Sequence, residues 1–365
     1  MAIISFVHTD FLRLASPIVG LTDCPAWLQK RTADAVRHAA RQVFETAISR
    51  NAAFVLIAGE ISSSAADHHS VAEWWREQTA DLKRRGIRTV ARTGTTELTA
   101  ELAGLCDVAL RDDQVLEVSR DARGAVQLRA TNIPGSSAAL TVSIGHQDIS
   151  RTRGLCYQAI PGTRRDDAVA RLSAPNLCRA TAGAVQALGP QEQLEGGCIV
   201  AEADLAANVI QTEVVSTDVI RFTQEELRAG QVSSPSELVR RIVGAASARP
   251  PKNSRTEVVD WIISADVQLR FEEVGQLTSA ALLNSLRSEL HGGHQGTWPR
   301  TVKFSEDSTI RIVNSSGRLL SEFAAASAAD SIALRSQVSP DTNAFVTQPA
   351  TAPVLTGLEL LRRVS

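Results

Sequence analysis

A layered α/β domain followed by a smaller mixed unit is the fold class that this 365-residue sequence predicts. Three observations carry it. Short apolar runs alternate with helix-length amphipathic stretches to about residue 170, the pattern turns to strands between about 171 and 225, and a helix start signal then opens a separate segment. A chain of this length exceeds one typical domain, so a core over residues 1–225 is expected, with additions over 226–300, 301–335 and 336–365.

Ile3 to Val7 is a short apolar strand, and Trp27 to Arg50 places Ala35, Ala39, Val43 and Ala47 on one helical face. Phe54 to Ala58 is apolar throughout, as a strand buried on both faces must be. Trp74 to Arg85 predicts a second helix stopped by Gly86, and Ile87 to Ala91 a third strand. Ala138 to Ile144 and Cys156 to Ile160 are further strands, and Gly196 to Glu202 and Gln211 to Phe222 complete the strand-rich stretch. Ser234 can cap a helix from Pro235 to Ala246, because proline at the first helical position gives up no needed N–H. A loop at Arg249 to Ser254, a strand at Glu257 to Ile263 and a helix at Thr278 to Leu290 follow. The last stretch predicts a hairpin around Asn314-Ser315-Ser316-Gly317, an alanine-rich helix from Leu319 to Ala329 and a Ser/Pro/Thr-rich linker from Ser336 to Pro353. Val354 to Val364 then reads either as a helix packed on its own domain or as an amphipathic docking helix.

Thirty-eight basic against 40 acidic residues leave a net charge of -2, which denies the chain any general electrostatic pull on nucleic acid or anionic lipid. Any phosphate binding must come from local clusters. Cys24, Cys106, Cys156, Cys178 and Cys198 are odd in number and lack a Cys-x-x-Cys pair, so buried free thiols are expected rather than a disulfide framework or a zinc site. No basic leader precedes the first strand and no apolar run is long enough to span a bilayer, so a soluble cytoplasmic protein with no membrane role is expected.

The stretches Ile3-Ile4-Ser5-Phe6-Val7-His8-Thr9, Leu12-Arg13-Leu14-Ala15-Ser16-Pro17 and Phe54-Val55-Leu56-Ile57-Ala58-Gly59-Glu60 resemble the DNA repair exonuclease group, the SbcD-type nucleases and YhaO-like relatives, of the calcineurin-like metallophosphoesterases. That group writes its first two motifs as His-Thr-Ala-Asp-Leu-His-Leu-Asp-Ser-Pro and Leu-Ile-Ala-Gly-Asp. The resemblance covers roughly the first 220 residues. It implies a sandwich of two sheets flanked by helices, a small α+β capping domain, and a two-metal site for manganese or a similar ion at the strand ends.

Most of the implied ligands are replaced. The aspartate and second histidine of the first motif fall on Phe11 and Arg13, while Asp10 lies one residue early, on the opposite strand face unless the strand end is irregular. Glu60 stands for the bridging aspartate, lengthened by one methylene. Where Gly-Asn-His-Asp is implied, the chain reads Thr93-Gly94-Thr95-Thr96-Glu97, and threonine hydroxyls are poor ligands for manganese. His146 matches the single histidine of the fourth motif, while Gly162 and Arg164 stand for the two of the last, in Tyr157-Gln158-Ala159-Ile160-Pro161-Gly162-Thr163-Arg164-Arg165. The family's proline-glycine-asparagine turn survives in part as Ala174-Pro175-Asn176. His8 is expected to pack in the core, and His68, His69, His291 and His294 to lie in exposed loops.

Glu60 and His146 are therefore the remnant metal-site positions, and two ligands cannot hold two metals. The leading expectation is a catalytically degenerate subunit without a metal, which binds DNA or scaffolds an SMC-like ATPase of the SbcC type through the C-terminal helix. Arg13, Arg92, Arg164 and Arg165 are candidates to clamp phosphate without activating water, against the alternative that carboxylates such as Asp148, Asp166 and Asp167 occupy nearby arginines. Two other readings stay open. One is an active manganese-dependent exonuclease or phosphodiesterase with a site rebuilt from Asp10, Glu60, Glu97, His146 and Asp148; the other is a binding module with no nucleic-acid role.

Overall fold

β-Branched and aromatic residues dominate Ile3–Thr9 (β1) and Phe54–Ile57 (β2), and these lie side by side in parallel, with Phe6 opposite Phe54 and His8 opposite Leu56. The computed structural model describes residues 3–62, 68–94, 96–121, 125–132, 138–145, 154–162, 176–193, 195–248, 255–270, 277–291, 296–306, 308–314, 335–337 and 344–349. The chain divides into two units, Met1–Arg221 and Phe222–Ser365.

In the first unit Arg88–Arg92 (β3) and Val108–Leu110 (β4) extend the parallel sheet on one side of β2. Gly197–Asp204 (β10) and Val209–Ser216 (β11) extend it with antiparallel strands beyond β1. The order is β11-β10-β1-β2-β3-β4. A five-stranded sheet, β6-β5-β7-β8-β9, is built from Val115–Arg120 (β5), Val126–Thr131 (β6), Leu140–Ile144 (β7), Leu155–Ala159 (β8) and Leu177–Ala180 (β9). The two sheets share one core, in which Phe6 stacks on Phe54 at 4.7 Å and meets the Tyr157 ring edge-on at 4.9 Å.

Helices pack on the six-stranded sheet. Ala26–Ser49 (α1) buries Leu28, Ala35, Val36, Ala39, Val43 and Ala47, the stripe its spacing predicts, against β1, β2 and β10. His68–Arg84 (α2) lies on β3, and its Trp75 indole donates to Leu102 O in Glu97–Gly104 (α3) at 2.9 Å. The α2 helix opens at His68, so His68 and His69 belong to a helix start and not to a loop. The strand expected over Gln211 to Phe222 is broken in two. Gln186 takes the amides of Val219 and Ile220 at 2.8 and 3.2 Å, while Arg221 grips Asp218, and the chain leaves β11 at Ser216 to begin Ile220–Val232 (β12).

In the second unit Pro235–Ser247 (α4) starts as its sequence requires. Ser234 Oγ accepts the Glu237 amide at 3.2 Å, and the Glu237 carboxylate reaches back to Ser233 N at 2.9 Å. The helix and Ser279–His291 (α5) bury Leu238, Ile242, Leu282 and Leu286 against Trp261 and Ile263 of Thr256–Arg270 (β13). His291 is the last residue of α5, not a loop residue. Beside β13 lie Thr297–Phe304 (β14) and Thr309–Asn314 (β15), both parallel to it. Between them Ser308 Oγ donates to Ile263 O at 2.7 Å and accepts from Ala265 N at 3.3 Å, so a side chain carries the ladder across the interruption.

The final stretch departs from expectation. Within the expected linker, Ala344–Pro349 (β17) pairs antiparallel with β15 and with Arg335–Gln337 (β16), because its Phe345 and Val346 suit an open strand edge. The expected hairpin turn at Ser315-Ser316-Gly317 lies outside the described residues. The expected helices at Leu319 to Ala329 and Val354 to Val364 lie outside the described residues.

Candidate functional site

The C-terminal ends of β1, β2, β3, β8 and β9 converge, and the backbone ties them. Leu12 N donates to Glu60 O at 3.0 Å, Leu14 N to Ile61 O at 2.9 Å, and Gly59 N to Asp10 O at 2.8 Å. A Cβ on Gly59 would lie 2.6 Å from that Asp10 carbonyl oxygen, so only glycine allows β2 to end this close to β1. Phe11 bridges to Ala184 just beyond β9.

Asp10 lies at the centre of this convergence and is fully buried. The end of β1 is regular enough to keep Phe6, His8 and Asp10 on one face, toward Tyr157 of the other sheet. His8 Nε2 donates to Asp10 Oδ1 at 2.7 Å, which leaves Nδ1 to accept the Tyr157 O–H at 2.9 Å. The other carboxylate oxygen accepts from Gly183 N at 2.9 Å and Gly162 N at 3.3 Å. Both oxygens are thus engaged by protein donors, and His8, as its packing predicted, is buried. Burial pushes the Tyr157 phenol well above its ordinary range, so it stays a neutral donor.

The other sequence-derived positions scatter. Glu60 is half-buried at the end of β2. Its charge, secondary to the hydrogen-bonded carboxylate of Asp112, holds the Arg92 guanidinium above its ordinary value. Arg92 Nε and Nη2 reach the two Asp112 oxygens at 2.6 and 2.9 Å. Arg13 Nη1 lies 2.7 Å from both Glu192 oxygens, and its guanidinium sits 5.8 Å from the Phe11 ring centroid. The carboxylate mates of Arg13 and Arg92 are therefore Glu192 and Asp112, while Asp148, Asp166 and Asp167 lie outside the described residues. Arg13 and Ala15 hold φ of 53° and 63°, left-handed values that cost an L-residue roughly 1–2 kcal/mol each.

The third-motif stretch has become a helix start. Thr96 caps α3 by accepting the Thr99 amide, Thr99 Oγ1 donates to Ser62 O at 2.7 Å, and Glu97 is exposed in the first turn, where its charge complements the helix dipole. Glu97 is not among the groups that gather around Asp10. His146, Asp148, Arg164 and Arg165 lie outside the described residues.

A two-metal site needs several imidazole and carboxylate donors aimed at one point. Among the described residues no group of three His, Cys, Asp or Glu side chains converges in that way. Asp10, the carboxylate at the strand convergence, already accepts three protein donors and is closed to solvent. The described donor set therefore does not fit a dinuclear centre. Gly183 and Glu192 were not legible as site residues, for they meet Asp10 and Arg13 across 173 and 179 residues of sequence.

No helix among the described residues is long and apolar enough to cross a membrane. No protein-family model matches the chain, and no curated protein matches it.

Proposed function

We propose that the chain is a catalytically degenerate member of the calcineurin-like DNA repair exonucleases, a non-hydrolytic subunit that scaffolds an SMC-like ATPase. The motif frame in the sequence supports the ancestry, as do two face-to-face sheets with helices on one of them and strand ends gathered at β1, β2 and β3. One observation carries the loss of hydrolysis. Asp10, the carboxylate buried where the strand ends meet, spends both oxygens on His8, Gly162 and Gly183 and is closed to solvent. A rebuilt metal site would compete with those contacts, and a buried carboxylate separated from its partners is costly. The scaffold role is favoured over a DNA clamp because Arg13 and Arg92 each already hold a carboxylate.

Manganese-dependent cleavage of single- and double-stranded DNA, run beside Glu60→Ala and His146→Ala, tests this reading. The account expects no cleavage above the level of either variant, together with co-purification of an ATPase of the SMC type. Cleavage that disappears in either variant overturns it.

A further inference from the structure

The strand β11 closes one side of the six-stranded sheet; β10 pairs with its inner edge, and no described strand pairs with its outer edge. Among the described residues, the outward N–H and C=O groups along its eight residues have no ladder partner. Protein edges of this kind are usually blunted by proline, lysine or a bulge. This one, Val209-Ile210-Gln211-Thr212-Glu213-Val214-Val215-Ser216, has none of those devices and one charged side chain. That charge, Glu213, is paired with Arg50 of the same chain at 2.7 Å. Val209 and Val214 stand 40% and 43% exposed on it.

The order of side chains along β11 identifies its occupant. When two identical edges pair antiparallel, the two-fold axis stands perpendicular to the sheet and each face is kept, so residues directly opposite must share a face. The axis must therefore pass through a residue and not between two. Placed at Thr212, it sets Val209 against Val215 of the second copy, Ile210 against its Val214, Gln211 against its Glu213, and Thr212 against itself. Apolar meets apolar, an amide meets a carboxylate, and hydroxyl meets hydroxyl, the pairings that stabilise a ladder. An axis at Glu213 sets that carboxylate against its own copy and Gln211 against Val215. An axis at Gln211 sets Val209 against Glu213. The chemistry matches in the Thr212 register and fails one residue to either side.

We propose that β11 is a homodimerisation edge, joining two copies of this chain into a continuous sheet about a two-fold axis at Thr212. Light scattering on the full chain across a concentration series, with Thr212→Glu, Thr212→Lys and their equimolar mixture, tests it. The wild type dimerises reversibly, each variant alone is monomeric because a like charge faces itself on the axis, and the mixture recovers the dimer. A wild type that stays monomeric throughout, a single variant that dimerises like wild type, or a mixture that stays monomeric each overturns the proposal. Should circular dichroism show either variant unfolded, the exposed Gln211 supplies the test: Gln211→Glu weakens the dimer on the order of tenfold by facing Glu213, and Gln211→Lys tightens it. Equal affinity of those two variants overturns it as well.

Discussion

Asp10→Ala removes the acceptor for two buried donors, His8 Nε2 at 2.7 Å and Gly183 N at 2.9 Å, and for the half-buried Gly162 N at 3.3 Å. Each buried donor left without a partner costs roughly 1–3 kcal/mol, so His8 Nε2 and Gly183 N together cost about 4 kcal/mol. The long third bond adds little, so a loss of about 4 kcal/mol is expected. In a unit of roughly this size each 1 kcal/mol moves the midpoint by about 2–4 °C, so the variant should melt on the order of 10 °C below wild type. Asp10→Asn separates the carboxylate's charge from its shape. The amide oxygen can still accept both glycine amides, and the His8 tautomer can reverse so that Nδ1 donates to Tyr157, leaving a cost of about 1–2 kcal/mol. Thermal melting followed by circular dichroism should therefore rank wild type above Asp10→Asn and Asp10→Ala lowest. An Asp10→Ala midpoint within about 2 °C of wild type would refute the reasoning, because it would mean that the carboxylate is not committed to the fold.

Three further outcomes follow from the same structure. Hydrogen bonds from Ser233 and Arg241 hold the Glu237 carboxyl down at about 2 against an ordinary 4.5, so its contribution is intact above 4.5 and disappears as pH falls toward 2; urea titrations of Glu237→Gln should show a flatter acid limb than wild type over that window. Ser308→Ala removes the hydroxyl that both donates to Ile263 and accepts from Ala265, and should cost about 1–2 kcal/mol with faster amide exchange at Ala265. Burial pushes the Cys106 and Cys198 thiols up to about 12, so alkylation at pH 8 under native conditions should label Cys24 well before either, as peptide mass mapping would reveal.

Local signals made much of the fold legible. The one-face repeat of α1, the apolar run of β2 and the Ser234-Pro235 start of α4 each dictate their element through a few adjacent residues. Where adjacent residues gave no clear periodicity, the reading thinned. Strands β5 and β6 lie amid Arg111, Asp112, Asp113, Arg120 and Asp121, whose charges mask the apolar alternation, and β17 is a short strand inside linker-like composition. The site was legible as a frame and not as a network. Motif spacing pointed to Asp10, Glu60 and Gly162, but it could not show that the Gly162 amide serves Asp10 or that Glu192 captures Arg13, since those meetings depend on how distant strands close. Asp10 was the instructive case. A one-residue offset suggested the wrong strand face for a ligand, and the same offset is what puts its side chain on the His8 and Tyr157 face, where the protein itself engages both of its oxygens.

Metal stoichiometry after saturation with manganese and exhaustive desalting, read by mass spectrometry for wild type and Asp10→Asn, tests the central claim most directly. The account predicts well under one manganese per chain in both proteins. Two manganese ions per wild-type chain, lost in Asp10→Asn, would contradict it, because Asp10 would then be serving a metal and not the strands around it.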